Sequence, residues 1–225
     1  MARMLACSVV FGIGKVSAAE LASAGSSGFP GDPATARAGL RRAQSAAARE
    51  LLARLAARHG NGEVALERGA SGRPKLRLGD GSLLNASIAH SGHHVAAALA
   101  LHGRVGIDLE RFETGRDWRA IARAAFGPAE AAAVLAQGPE TFYRIWCLRE
   151  ALAKATGAGL ALVMDRRDRF PQGAAVDGVT VGLPEGDWRF RVRRLPGCMF
   201  ALAWDSPGEA HAAEILESGC FLGES

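Results

Sequence analysis

The sequence predicts an α+β protein of two similar-sized lobes meeting near Arg104. Apolar residues at helical spacing mark a long helix in each half, and short alternating runs bounded by Gly and Pro mark strands around them. The two halves share this mixture of elements without any repeat that sequence identity alone would establish. At 225 residues the chain is long enough to bury a substantial core.

Residues 5–13 read as a buried first strand. The stretch 4–14 also has the outline of a signal-peptide core, with Arg3 before it and small residues at 17–19, but its charged region is thin. Residues 24–34, rich in Gly, Ser and Pro, read as an exposed loop. From 39 to 59 the apolar positions Leu40, Ala47, Leu51, Leu52 and Leu55 recur at helical spacing, with Gly60 as the stop. Short strands follow at 64–67 and 75–78, separated by the turn Ser71-Gly72-Arg73-Pro74, and then at 85–89, 95–101 and 105–110. A second helical region starts near Asp117 and breaks at Gly127-Pro128 and again at Gly138-Pro139. Pro139 suits the first position of a helix running to about Thr156, closed by Gly157. Strands at 178–183, 188–195 and 199–204 complete the chain, the last two joined by a Pro196-Gly197 turn.

Apolar residues make up 48% and charged residues 22%, ordinary globular proportions that exclude a disordered chain, and no apolar run is long enough to span a bilayer. Cys7, Cys147, Cys198 and Cys220 lack the paired spacings of a zinc site or a disulfide framework, so they read as thiols of a reduced compartment. The net charge of +4 suits an anionic ligand or an acidic partner. Trp and Phe do not interleave with the basic residues around a recognised nucleic-acid-binding motif. In Trp188-Arg189-Phe190-Arg191-Val192-Arg193 one strand face is wholly cationic, which reads as an edge strand kept from aggregating by charge.

The chemistry concentrates in Val105-Gly106-Ile107-Asp108-Leu109-Glu110. On a strand, Asp108 and Glu110 share a face roughly 7 Å apart, so they can converge on one cation. Gly106, on the same face, leaves room for a ligand near the backbone. Downstream, Trp146-Cys147-Leu148-Arg149-Glu150-Ala151-Leu152-Ala153-Lys154 adds a third carboxylate on a helix whose Ile145, Leu148 and Leu152 must pack inward. By spacing alone, the three acids also suit a solvated strand end and a surface Glu150–Lys154 pair. An oxygen-only ligand set points to magnesium or manganese, and magnesium so bound completes its shell with water and substrate phosphate.

An anion-binding half lies upstream. His90 and Ser91 end a strand beside turn amides suited to a phosphate. Arg42 and Arg49 share a helix face two turns apart, with Arg41 adjacent, and Arg73 and Lys75 flank Pro74.

These segments, in this order, resemble the 4′-phosphopantetheinyl transferases, specifically the longer, two-lobed, surfactin-synthetase-activating type. The family pattern is a Gly-[Ile/Val]-Asp-x-Glu strand followed by a Trp/Phe-x-x-Lys-Glu-[Ala/Ser]-x-x-Lys helix, matched here by residues 106–110 and 146–154. The likeness extends over about 39–160 and takes in Gly72-Arg73-Pro74, His90-Ser91 and the helix segment containing Arg49, Leu51 and Leu52. One departure stands out: the Lys before the glutamate is Arg149, bulkier and planar, so its contact with phosphate ranks below that of Lys154.

The resemblance implies two pseudo-symmetric lobes, each a small, mostly antiparallel sheet packed with a long helix, with the ligand cleft between them. Residues 1–104 would bind the nucleotide end, and 105–225 would carry the magnesium and catalytic residues. It implies a monomeric cytoplasmic enzyme that moves the 4′-phosphopantetheine arm of coenzyme A to a serine of an acyl or peptidyl carrier protein. Adenosine 3′,5′-bisphosphate is released. Carriers of this kind serve fatty-acid, polyketide and nonribosomal peptide synthesis. Asp108, Glu110 and Glu150 would hold Mg2+, Glu150 would take the serine proton, and Lys154 would stabilise the transferring phosphoryl. Arg42, Arg49, Arg73, His90, Ser91 and Arg149 would bind coenzyme A with Lys154. A degenerate protein that binds coenzyme A or a carrier without catalysis, or another magnesium-dependent phosphodiesterase, remains open on the same residues.

Overall fold

Strand β1 (Cys7–Lys15) is apolar on both faces, with Val9, Phe11 and Ile13 on one and Val10 on the other, so it must sit between two covering layers. It does so in the computed structural model, which describes residues 7–16, 33–58, 64–69, 73–170, 178, 180–206 and 209–215. The first sheet has the order β10 (Glu209–Ile215), β1, β5 (His94–Ala100), β4 (Leu83–Ser91), β3 (Pro74–Leu78), β2 (Val64–Arg68). The second runs β6 (Val105–Arg111), β9 (Cys198–Trp204), β8 (Gly186–Leu195), β7 (Thr180–Leu183). All neighbours are antiparallel except β1 and β10, which run parallel. The helices are α1 (Pro33–Arg58), α2 (Trp118–Ala125), α3 (Pro128–Gln137), α4 (Pro139–Thr156) and the single turn α5 (Leu160–Val163).

The result is α+β in four layers. Helix α1 lays Leu51, Leu52 and Leu55 over Val10, Ala97 and Leu99 of the first sheet. The opposite face of that sheet meets the second sheet directly: Phe11 stacks on Phe200 at 5.2 Å between centroids, amid Ala96, Ala98, Ile107 and Leu202. Alanines on the strand facing that seam let the sheets approach closely. The far face of the second sheet, through Phe190, Met199, Ala201 and Ala203, carries α4 by way of Ile145, Leu148 and Leu152.

Helix α4 is bounded as its punctuation predicts. Gly138 at φ 94° and Pro139 open it, and Gly157, left-handed at φ 79°, closes it with its N–H on the Ala153 carbonyl. Other boundaries differ from the sequence reading. Helix α1 begins at Pro33, inside the segment expected to be a loop; a proline is well placed at a first helical position because its missing N–H has no helical partner there. Strand β10 and the turn α5 were not expected. Strand β8 is not an edge strand: it lies between β7 and β9, and Arg191 stacks over Phe11 and donates to the Ala210 carbonyl (2.9 Å), tying the two sheets. Ser71 and Gly72 of the expected turn, and His59 and Gly60 at the expected helix stop, lie outside the described residues. Among the described residues, no helix is long and apolar enough to cross a membrane.

Candidate active site

The site forms where α4 crosses β6, and Gly106 is the reason they can cross so closely. A Cβ there would collide with the Ala151 carbonyl oxygen and come within 2.6 Å of the Ala155 nitrogen. The space beside Gly106 is therefore taken by helix backbone and not by a ligand, correcting the sequence reading. The glycine lets Glu150 and Lys154 of α4 come down onto Asp108.

Lys154 does not pair with Glu150 one turn earlier on its own helix. Its Nζ donates to Asp108 Oδ1 at 2.7 Å and to the Ile107 carbonyl at 3.1 Å. Asp108 is 6% exposed, and its Oδ2 is buried without a hydrogen-bond partner. Burial, and then the charge of Asp108, push both Glu110 and Glu150 above the ordinary carboxylate range. For Lys154, burial disfavours the charge, but Asp108 and Glu150 outweigh it and hold the ammonium above its usual value. The three acids thus feel one another, with the Lys154 ammonium held among them on Asp108. Beneath them Cys147, fully buried, has its thiol pushed well above its usual range by burial and by Asp108 and Glu110.

β6 is the outer strand of its sheet, and β4 of the first sheet lies along its open side. Alternation turns Ser87 and Ser91 of β4 toward β6. The Ser87 hydroxyl accepts from the Ile107 N–H (3.0 Å), while that of Ser91 accepts from the Arg111 N–H (3.1 Å) and donates to Glu110 (3.1 Å). Ser91 therefore holds a carboxylate and a strand edge, correcting its expected place among the anion-binding groups: its one hydroxyl proton is on Glu110. Arg116 completes the surroundings of Glu110 at 3.8 Å.

His90 points the other way and is exposed. Partial burial and the positive charges of Lys154 and Arg41 lower its pKa, so its imidazole is neutral at pH 7. Among the α1 arginines it is Arg41 whose charge reaches His90; Arg42 and Arg49 are exposed on the helix. Between the two lobes a cleft of about 430 Å³ is lined by Arg73, Ser87, Glu150, Lys154, Gly157 and Leu160 among others. Arg73 reaches over Gly157 and donates to the Ala155 carbonyl at 2.5 Å, fixing one end of the cleft to α4.

Arg149 does not face this cleft. It is fully buried, paired with Glu130 of α3, stacked over Phe126 at 5.1 Å, and donates to the carbonyls of Val163 (3.1 Å), Asp165 (2.6 Å) and Arg167 (2.7 Å). Its guanidinium is committed to the segment that follows α5, which corrects its expected contact with coenzyme A. Glu130 is equally committed, accepting from the backbone N–H groups of Arg169 (3.0 Å) and Phe170 (2.7 Å).

Sequence reasoning left Ser87, Arg41 and Cys147 without specific roles. The two serines four apart on a strand that also carries buried Ala89 were a usable signal, since alternation sends all three to one face. Among the described residues no three His, Cys, Asp or Glu side chains are gathered into a ready metal cluster. The chemistry of the donors nevertheless fits a hard divalent cation: three coupled carboxylates, one with an unpartnered buried oxygen.

Residues 104–193 match the model of the 4′-phosphopantetheinyl transferase superfamily. The chain is 32% identical over 127 residues to the 4′-phosphopantetheinyl transferase AcpT of Salmonella typhi, covering 51% of this chain and 66% of that protein. It is also 32% identical over 105 residues to a 4′-phosphopantetheinyl transferase of Bacillus subtilis, covering 44% of each. The chain thus spans less than two thirds of the length of these relatives.

Proposed function

We propose, from the premise that this chain belongs to the 4′-phosphopantetheinyl transferase superfamily, that it transfers 4′-phosphopantetheine from coenzyme A to a serine of an acyl or peptidyl carrier protein. The observation that carries this reading is the Asp108–Lys154 contact beside Glu150 at a cleft between two lobes. In our reading residues 1–104 hold the nucleotide end and 105–225 carry out the chemistry, in a cytoplasmic monomer that draws on the cell's coenzyme A.

In the reaction, the serine oxygen forms a bond to the phosphorus that bears the pantetheine arm. The bond from that phosphorus to the bridging oxygen breaks, and adenosine 3′,5′-bisphosphate leaves with the electron pair. Glu150, its pKa raised by burial and by Asp108, is the group suited to accept the serine proton. Lys154 lines the same cleft, and its ammonium, once turned to the substrate, would stabilise charge on the phosphoryl oxygens. Arg73 at the cleft end and a neutral His90, which donates through one ring N–H, bind the nucleotide phosphates; Arg42 and Arg49 extend the basic surface on α1. Asp108, Glu110 and Glu150 would hold magnesium or manganese, which when bound supplies positive charge opposite the pyrophosphate. Arg149, buried against Glu130, has a structural role, so its departure from the family's Lys does not count against catalysis.

The test is a carrier-panel assay. Purified protein with Mg2+ and coenzyme A should add one phosphopantetheine mass to an apo carrier, with release of the bisphosphonucleotide. Asp108→Ala and Glu150→Ala should lower the rate by at least about a thousandfold while circular dichroism stays native. Absence of transfer across fatty-acid, polyketide and peptide carriers would refute the reading.

A further inference from the structure

Lys154 is in an unusual position for a residue that must meet a phosphate. Its Nζ sits 2.7 Å from Asp108 Oδ1 and 3.1 Å from the Ile107 carbonyl, inside the group of acids and not out over the cleft. Helical spacing offered it Glu150, a turn away. It reaches instead across the gap opened at Gly106 to the more buried acid, whose side chain is 8% exposed against 32% for the lysine. Three carboxylates that repel one another cannot stay ionised together at low dielectric without a positive charge among them. In the chain alone, the Lys154 ammonium is that charge for Asp108 and Glu150, while Arg116 stands 3.8 Å from Glu110. Its position also explains why donors of the right chemistry are not drawn into a ready metal cluster.

We propose that Lys154 is the built-in counter-ion of the carboxylate site, occupying Asp108 until a divalent cation displaces it, and that the displaced ammonium then meets the substrate phosphate. This rests on the function proposed above and adds an order of events to it. A divalent cation and an ammonium a few ångströms apart repel by several kcal/mol even at an effective dielectric of about 20, so the two cannot be held comfortably by one aspartate. Swinging off Asp108 relieves that repulsion, and the cleft into which Lys154 opens is where a phosphate would receive it. Cation and phosphate are thereby coupled: each makes room or a partner for what the other needs, and the coupling is reciprocal.

Mn2+ binding to the free protein tests this without coenzyme A or turnover. Free Mn2+ counted by electron paramagnetic resonance at pH 8 should show Lys154→Met binding the ion roughly tenfold more tightly than wild type, because a competing charge is gone. Lys154→Arg, which keeps the charge, should stay near wild type. Equal or weaker binding by Lys154→Met would overturn the proposal. A second measurement needs no variant: labelling of the Lys154 amine by an acylating reagent, read by mass spectrometry, should rise in wild type when Mg2+ is added. Unchanged or slower labelling also overturns it. If Mn2+ binds wild type and Lys154→Met alike while carrier modification proceeds, the counter-ion role fails and the transferase reading stands. Wild type that binds no Mn2+ sinks both the counter-ion and the metal assignment.

Discussion

Glu110 shows how a single carboxylate can be held in place at a cost to the fold. Its carboxylate is pressed by burial and by Asp108, and the hydroxyl of Ser91 and the distant Arg116 only partly compensate. Because its folded pKa lies above the unfolded value, its favourable contribution is complete below the ordinary carboxylate pKa and is lost as pH rises through the raised one. Glu110→Gln keeps an acceptor for Ser91 but carries no charge, so it escapes that loss. In chelator at pH 8 the variant should be more stable than wild type by on the order of 1 kcal/mol, the scale of one like-charge contact at a partly buried site. The advantage should shrink to nothing as the pH falls below the ordinary carboxylate value. Urea midpoints at several pH values read this directly; a variant no more stable at pH 8 would mean that Glu110 is already fully compensated. At this scale the three acids singled out from the sequence lie near one another in the structure, while two of their neighbours stand elsewhere than the sequence suggests. Arg149 stands about 100° around the helix from Glu150, and only the tertiary placement of Glu130, nineteen residues away in sequence, decides that this face is interior. Ser91 was read with His90 because the two are adjacent, yet adjacent strand residues face opposite ways.

Among the elements, the pairing of β6 with α4 matters most, and it depends on the absence of one methyl group. Gly106→Ala would drive a Cβ into the Ala151 carbonyl, backbone that cannot turn aside, so helix and strand must separate. The expected loss is about 3 kcal/mol in urea unfolding, with carrier modification falling further than stability alone accounts for, because Lys154 and Glu150 move away from Asp108 together. A variant as stable and active as wild type would show that α4 can shift without disturbing the site. Elements with strong punctuation were legible: Gly127-Pro128, Gly138-Pro139 and Gly157 bound α3 and α4 in the sequence as they do in the structure. Strand β10 was not, because Glu209-Ala210-His211-Ala212-Ala213-Glu214-Ile215 has little intrinsic preference for strand and owes its conformation to pairing with β1. The start of α1 was hidden for a related reason: Gly, Ser and Pro crowd the stretch before it, and a proline reads as a breaker unless its place in the first turn is known.

On the scale of the whole molecule, the two lobes were legible but their union was not. The sequence separates naturally near Arg104, yet the apolar seam between the sheets takes Phe11, Ala96 and Ala98 from one side and Ile107, Phe200 and Leu202 from the other. No periodicity shows which of two buried strand faces meets the other sheet and which meets a helix. The chain also recrosses the division, since β10 of the second half completes the first sheet. With an apolar core shared in this way, neither sheet can lose its partner without exposing a face of large side chains. Phe200→Ala removes one half of the 5.2 Å ring stack at the centre of that seam. It should destabilise the protein by about 3–5 kcal/mol, as for other buried phenylalanine truncations. Unfolding should remain one transition, with far-ultraviolet circular dichroism and tryptophan fluorescence coincident in urea, because Trp188 and Trp204 report the second sheet while dichroism reports both. Two separated transitions would mean that the lobes fold independently and that the cleft between them is free to open. A single weakened transition would mean that the seam holds β4 against β6, and with it Ser91 against Glu110, as tightly as it holds the fold.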